Sequence, residues 1–150
     1  MRLTLYSDYA LRVLMYLAVR GRDLVSIQEI AAAYGISAHH LTKVVQRLGR
    51  SGFVETVRGR RGGLRLAKAP DEIRIGAVFR STEEDLALVG CMADPQACAI
   101  SGICGLQPLL REALGAFLAV LDGATLADLV GPKRAALAQR LSLPAEARPP

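Results

Sequence analysis

Tryptophan is absent from this chain of 150 residues, and aromatic residues make up only 5% of it. A core must therefore come from Leu, Val, Ile and Ala, a helix-rich composition. No apolar run approaches the roughly 18 residues needed to span a bilayer. The opening Met1-Arg2-Leu3-Thr4 lacks the apolar stretch of a secretory leader, so a cytoplasmic location is expected. Catalytic signatures are missing as well. No nucleophile–base pair or paired-carboxylate arrangement stands out, and Gly59–Gly63 lacks the Lys-Ser/Thr of a phosphate-binding loop. The expected class is not an enzyme. Cysteine is scarce too: Cys91, Cys98 and Cys104 are the only three, and no fourth thiol accompanies them.

What is present is an uneven charge. The formal net charge is +5, but residues 1–68 hold 12 Lys/Arg against 4 Asp/Glu, and residues 69–150 hold 7 against 10. The N-terminal part is suited to a polyanion, the C-terminal part to something else.

Local patterns give that basic part a form. Thr4 to Ser7 offers N-cap chemistry ahead of an apolar face of Ala10, Leu11, Val13, Leu14, Leu17 and Ala18. Ser26 and Glu29 form a capping box for a second, short helix ending at Gly35. Ser37 caps a third helix with Leu41, Val44, Val45 and Leu48 inward. Helix, Gly-containing turn, helix is the helix-turn-helix pattern. Two extended runs, Phe53–Arg58 and Leu64–Leu66, flank a Gly/Arg turn and make a β-hairpin wing.

The expected fold is mainly α with a small β wing: a winged helix-turn-helix DNA-binding domain over 1–68, then a linker helix and cysteine loop over 69–107. A dimerisation helix begins at Pro108, with a short terminal helix ending by 130, and 131–150 form a C-terminal tail. The long helix repeats Leu110, Leu114, Phe117 and Leu121 at three- and four-residue steps, with more apolar residues around it, so cover on several sides is expected. Those four residues are the expected dimerisation face.

A recognition helix places its N-terminal residues at base edges in the major groove. Here these are Ser37, His39, His40 and Lys43. Arg47 and Arg50 lie further along, within reach of phosphate, and Arg58, Arg60 and Arg61 on the wing suit the minor groove. Neighbouring residues on a helix point about 100° apart, so His39 and His40 do not readily share a metal ion.

The cysteines are spaced C-x6-C-x5-C. Structural zinc sites pair C-x2–4-C with a second pair, and bacterial ferredoxin spacing is tighter. Three thiolates in a loop can hold three corners of an iron–sulfur cluster, with the fourth ligand from elsewhere. The competing readings are three small buried residues or a metal-free thiol switch. An electron-transfer iron–sulfur protein would leave the basic wing unexplained.

Met1-Arg2-Leu3-Thr4, then Ser7-Asp8-Tyr9-Ala10-Leu11-Arg12, then Gly62-Gly63-Leu64-Arg65-Leu66-Ala67, resemble the winged-helix iron–sulfur repressors that include NsrR, IscR and RirA. The cysteines fall where that family carries its cluster, and the resemblance covers about residues 1–130. It implies a homodimer with a cluster near the dimer interface, 4Fe–4S in preference to 2Fe–2S, bound to a palindromic double-stranded operator. Gln107 stands where IscR-like members carry a histidine ligand. The run Leu110–Leu121 followed by Thr125–Val130 is similar to the nitric-oxide-sensing NsrR type. There the fourth ligand is an acid on the first helix, supplied across the dimer, and Asp8 holds that position. Favourable charge at a helix N-terminus is its alternative role. The six-residue gap between Cys91 and Cys98 resembles RirA-like iron sensors and keeps sensing of iron or cluster supply open.

Overall fold

The structure, a computed structural model, describes residues 3–60 and 62–142. Helix α1 (Leu5–Arg20) is the centre of the fold. The Thr4 hydroxyl accepts the Ser7 N–H at its start, and Ala10, Val13, Leu14 and Leu17 are fully buried. It stops at Gly21, whose φ of +72° is a backbone state that L side chains avoid.

Helix α2 (Ile27–Tyr34) meets α1 through the Tyr16–Tyr34 ring contact, and α3 (Ala38–Arg50) packs on α1 and on α2. The turn between α2 and α3 closes at Gly35, φ +64°, with Ile36 N–H donating to Ala31 O at 3.0 Å. That is the left-handed stop expected from the sequence. The capping box is only half formed. Ser26 Oγ accepts the Glu29 N–H, but the Glu29 carboxylate turns instead to Arg20, at 2.7 Å, and to the Tyr16 hydroxyl. Ser37 precedes α3 without a side-chain cap bond.

The wing is an antiparallel pair, β1 (Val54–Val57) and β2 (Gly63–Leu66), with Val54 opposite Leu66 and Val57 opposite Gly63. Val25 exchanges two backbone bonds with Leu64, 3.0 and 2.8 Å, and so ties the hairpin to the domain.

Helix α4 (Ile75–Thr82) follows, then a loop holding one helical turn, α5 (Gly90–Ala93), and a 3-10 turn at Pro95–Ala97. The long helix α6 (Leu106–Gly123) starts two residues before the expected Pro108. Proline is tolerated there because first-turn N–H groups have no intrahelical acceptor.

The chain then returns. Leu126 N–H donates to Ile73 O and Ile75 N–H to Ala124 O, which draws α7 (Leu126–Val130) back against α1. The segment expected as a tail departs from expectation. Residues Arg134–Ser142 form α8, which packs on α1 and α2, and its Leu141 joins the same buried cluster as Leu14 and Leu126. Leu137 and Leu141, one turn apart, give this helix its inward contact. Residues 143–150 lie outside the described residues.

Candidate nucleic-acid interface and cysteine loop

Helix α3 divides cleanly. Leu41, Val44, Val45 and Leu48 are buried, while Ser37, His39, His40, Lys43 and Arg50 are exposed, as are Thr42 and Gln46. Positions 39, 43, 46 and 50 recur at four-, three- and four-residue steps and so share one face. Gln46, uncharged and therefore unmarked by the basic pattern, shares that face by periodicity, and a Gln amide can pair with adenine in two-point fashion. The two histidine rings lie 6.2 Å apart and tilted by 54°.

Arg47 is not on that face. Its Nε–H donates to Ser81 O at 2.6 Å, Nη1 lies 3.4 Å from Glu84 Oε1, and its guanidinium stands 5.7 Å from the Tyr6 ring centre. The Tyr6 hydroxyl donates to Lys43 O at 2.8 Å, and burial raises its pKa against the nearby Arg47 and Arg50 charges. Arg47 therefore faces the body of the protein, unlike the phosphate contact expected of it.

Arg58 and Arg60 stand exposed on the wing, where Gly62 N–H closes the turn on Gly59 O and Gly59 has φ +118°. Arg61 lies outside the described residues. Arg65 pairs across the hairpin with Glu55, the residue directly opposite it.

Cys91, Cys98 and Cys104 are free thiols, each half-buried, on the loop between α4 and α6. Gln107 Nε2 donates to Cys91 O at 2.6 Å and closes the two ends of the loop together. Cys104, Gln107, Arg111 and Glu112 line an open cavity of about 520 Å³. Asp8 sits in the first turn of α1, paired with Arg12 one turn on at 2.8 Å.

The expected dimerisation residues split into two groups. Phe117 stacks edge-on against Phe79 of α4 at 5.5 Å, and Leu121 packs against the core, so both face their own chain. Leu110 and Leu114 are half-buried. The outward stripe is instead Leu106, Leu109, Ala113, Ala116 and Val120, with Leu109 60% and Val120 73% exposed. No residue of α6 is fully buried.

The family model for Rrf2, described as an iron-dependent transcriptional regulator, matches residues 3–132. The chain belongs to the Rrf2 family. It is 54% identical over 132 residues to the HTH-type transcriptional regulator NsrR of Geobacillus kaustophilus, a match covering 87% of this chain and 90% of that protein. Among solved structures it is similar to the IscR of T. potens, with TM-score 0.73, 26% identity and coverage of 91% and 90% of the two chains. It is also similar to CymR, the global cysteine regulator of B. subtilis, with TM-score 0.72, 28% identity and coverage of 88% and 98%. The chain is thus a DNA-binding transcriptional regulator with the winged-helix Rrf2 fold, and its relatives are regulators rather than enzymes.

Rrf2 membership with NsrR and IscR relatives suggests an iron–sulfur cluster. Among the described residues, no three or more His, Cys, Asp or Glu side chains converge to hold a metal ion. A single ion needs such convergence on one point; a cluster offers several irons at separate corners. Three half-buried soft thiols on one loop fit the second case in chemistry. No helix among the described residues is long and apolar enough to cross a membrane.

Proposed function

We propose that this Rrf2 regulator is a homodimeric repressor of the NsrR type that binds a palindromic operator and senses nitric oxide through an iron–sulfur cluster. Cys91, Cys98 and Cys104 hold the cluster, and Asp8 of the partner subunit is its fourth ligand. The observation that carries the reading is the cysteine loop itself. Three free thiols occupy one loop, clasped by the Gln107 bond to Cys91 O, in a chain half-identical to NsrR regulators.

A bound cluster would supply irons open to attack by nitric oxide. The protein's own residues do the rest. Cys91, Cys98 and Cys104 fix the loop while they are engaged. Asp8 leaves Arg12 to serve the neighbouring subunit, which draws α1 with it. Lys43, His39, His40 and Gln46 meet base edges, and Arg50, Arg58 and Arg60 meet the phosphate backbone. Half-sites of a dimer lie about one helical turn apart, so a change in the spacing of the two α3 helices weakens binding. The outward stripe of α6 supplies the dimer contact.

The second reading, sensing of iron or cluster supply, is favoured by the six-residue gap between Cys91 and Cys98 and by the iron-dependent description of the family. Challenge of the DNA-bound protein separates the two. Release by nitric oxide with persistence in chelator supports the first; release by chelator with persistence in nitric oxide supports the second.

A further inference from the structure

The end of α4 is a junction of three elements. Thr82, 3% exposed, shares a 2.8 Å hydrogen bond with the fully buried Ser7 of α1. The next residue, Glu83, accepts the Thr4 N–H at 3.1 Å, the Thr4 hydroxyl at 3.0 Å and the Ser7 hydroxyl. On the other side, Ser81 O accepts the Arg47 Nε–H of α3 at 2.6 Å, and Glu84 faces the same guanidinium. Within four residues the start of α1, beside Asp8, and the middle of the recognition helix are thus fastened to one point. The cysteine loop leaves α4 from that point and reaches Cys91 seven residues after Glu84.

Arg47 is the only connection among these from α3 to the α4 exit. Its guanidinium lies over the Tyr6 ring, and the Tyr6 hydroxyl donates to Lys43 O on α3, one helical turn before Arg47. A displacement of residues 81–84 therefore pulls on α3 through a short directional bond rather than through apolar contact alone.

We propose that Arg47 is a positioning residue, which couples the orientation of α3 to the state of the cysteine loop through its Nε–H bond to Ser81 O. The proposal rests on the cysteine loop being the sensor. It assigns Arg47 no contact with DNA.

Two substitutions separate this role from phosphate binding. In Arg47→Gln the amide nitrogen stands the same number of bonds from the backbone as Nε and can donate to Ser81 O. Arg47→Met has similar length, no charge and no donor. For wild type and both variants, thermal melting checks folding. Affinity is then measured, with the cluster loaded and after its removal by chelator, over a range of salt. The probe is a duplex selected from a randomised library by the tighter-binding wild-type form. Two-state coupling of the usual size gives wild type a ratio between the forms of about 5- to 150-fold. Arg47→Met is expected to lower that ratio at least ~3-fold, while Arg47→Gln stays within ~2-fold of wild type and both keep the wild-type salt slope. Tyr6→Phe, which keeps the ring and loses the bond to Lys43 O, is expected to lower the ratio as well, by less; it provides a second variant should Arg47→Met fail to fold. If Gln and Met change the ratio alike, the Ser81 bond does not position α3 and the proposal is overturned; if both flatten the salt slope by about one unit, Arg47 is a phosphate ligand and the proposal is overturned as well, while in either case the sensor reading stands. A wild-type ratio of one overturns the sensor reading and this proposal with it.

Discussion

Arg80 and Asp122 meet in a two-point ion pair, Nη1 to Oδ1 at 2.5 Å and Nη2 to Oδ2 at 2.6 Å, that clamps the end of α6 onto α4. The hydrogen bonds from Arg80 lower the Asp122 pKa. Gly76, one turn before Arg80, lies directly beneath the pair, where a Cβ would collide with the Asp122 carboxylate. Gly76→Ala is therefore expected to push this exposed carboxylate aside and break the clamp, at the modest cost of a surface ion pair. Thermal melting of Gly76→Ala beside Asp122→Asn checks this. The alanine variant should lose the same salt-dependent part of the stability that Asp122→Asn loses.

The Glu83 latch sets a pH dependence. Burial raises its carboxyl pKa, but the hydrogen bonds from Ser7 and Thr4 together hold it below the usual carboxylate range. A group with a depressed folded-state pKa stabilises the fold above its unfolded value, and the contribution disappears as pH falls through the folded value. Glu83→Gln is expected to cost about 1–2 kcal/mol near neutral pH. Its stability should also fall less steeply than wild type below about pH 5. Denaturant melts across pH measure both effects.

The two faces of α6 should respond differently. Val120→Lys on the outward stripe, the proposed dimer contact, is expected to give a monomer in solution while leaving its fold nearly unchanged. Phe117→Ala removes the stack on Phe79 and is expected to lower stability by about 1–3 kcal/mol, less than a fully buried Phe. Sedimentation together with thermal melting distinguishes a lost interface from a lost intramolecular contact.

Base reading and phosphate binding also separate. Arg60→Ala should weaken binding to all duplexes alike and reduce the salt slope by about one unit. Gln46→Ala should leave the slope intact and relax the preference at one base pair by about 1–3 kcal/mol. Binding titrations on a set of single-base operator variants at several salt concentrations give both quantities.

The winged domain was legible because local chemistry and burial agree there. Gly35, the Leu41–Leu48 face and the glycine-flanked hairpin all do what their residue types favour locally. What escaped depends on tertiary choice. Arg47 is basic and in the right helix, and only the packing of α4 turns it inward. Glu29 prefers Arg20 and Tyr16 to its own N-cap because those partners lie on a neighbouring helix. Helix α6 is apolar on nearly all sides, so periodicity cannot say that Phe117 and Leu121 meet their own chain while Leu109 and Val120 face outward. Helix α8 carries only a sparse apolar repeat: Leu137 and Leu141 turn inward, Arg134 donates to Val19 O at 3.0 Å, and the prolines that follow read as tail. In the cysteine loop, the residue types indicate the chemistry, while Asp8 shows its pairing with Arg12.

The most direct test is an anaerobic absorbance spectrum of freshly purified protein, followed through a nitric oxide titration, with Cys98→Ala in parallel. Iron–sulfur absorption in wild type that collapses with a few nitric oxide molecules per cluster, and is missing in Cys98→Ala, is the expected result. A wild-type protein that takes up no cluster under anaerobic reconstitution, or a Cys98→Ala protein with a normal nitric oxide response, would contradict the account.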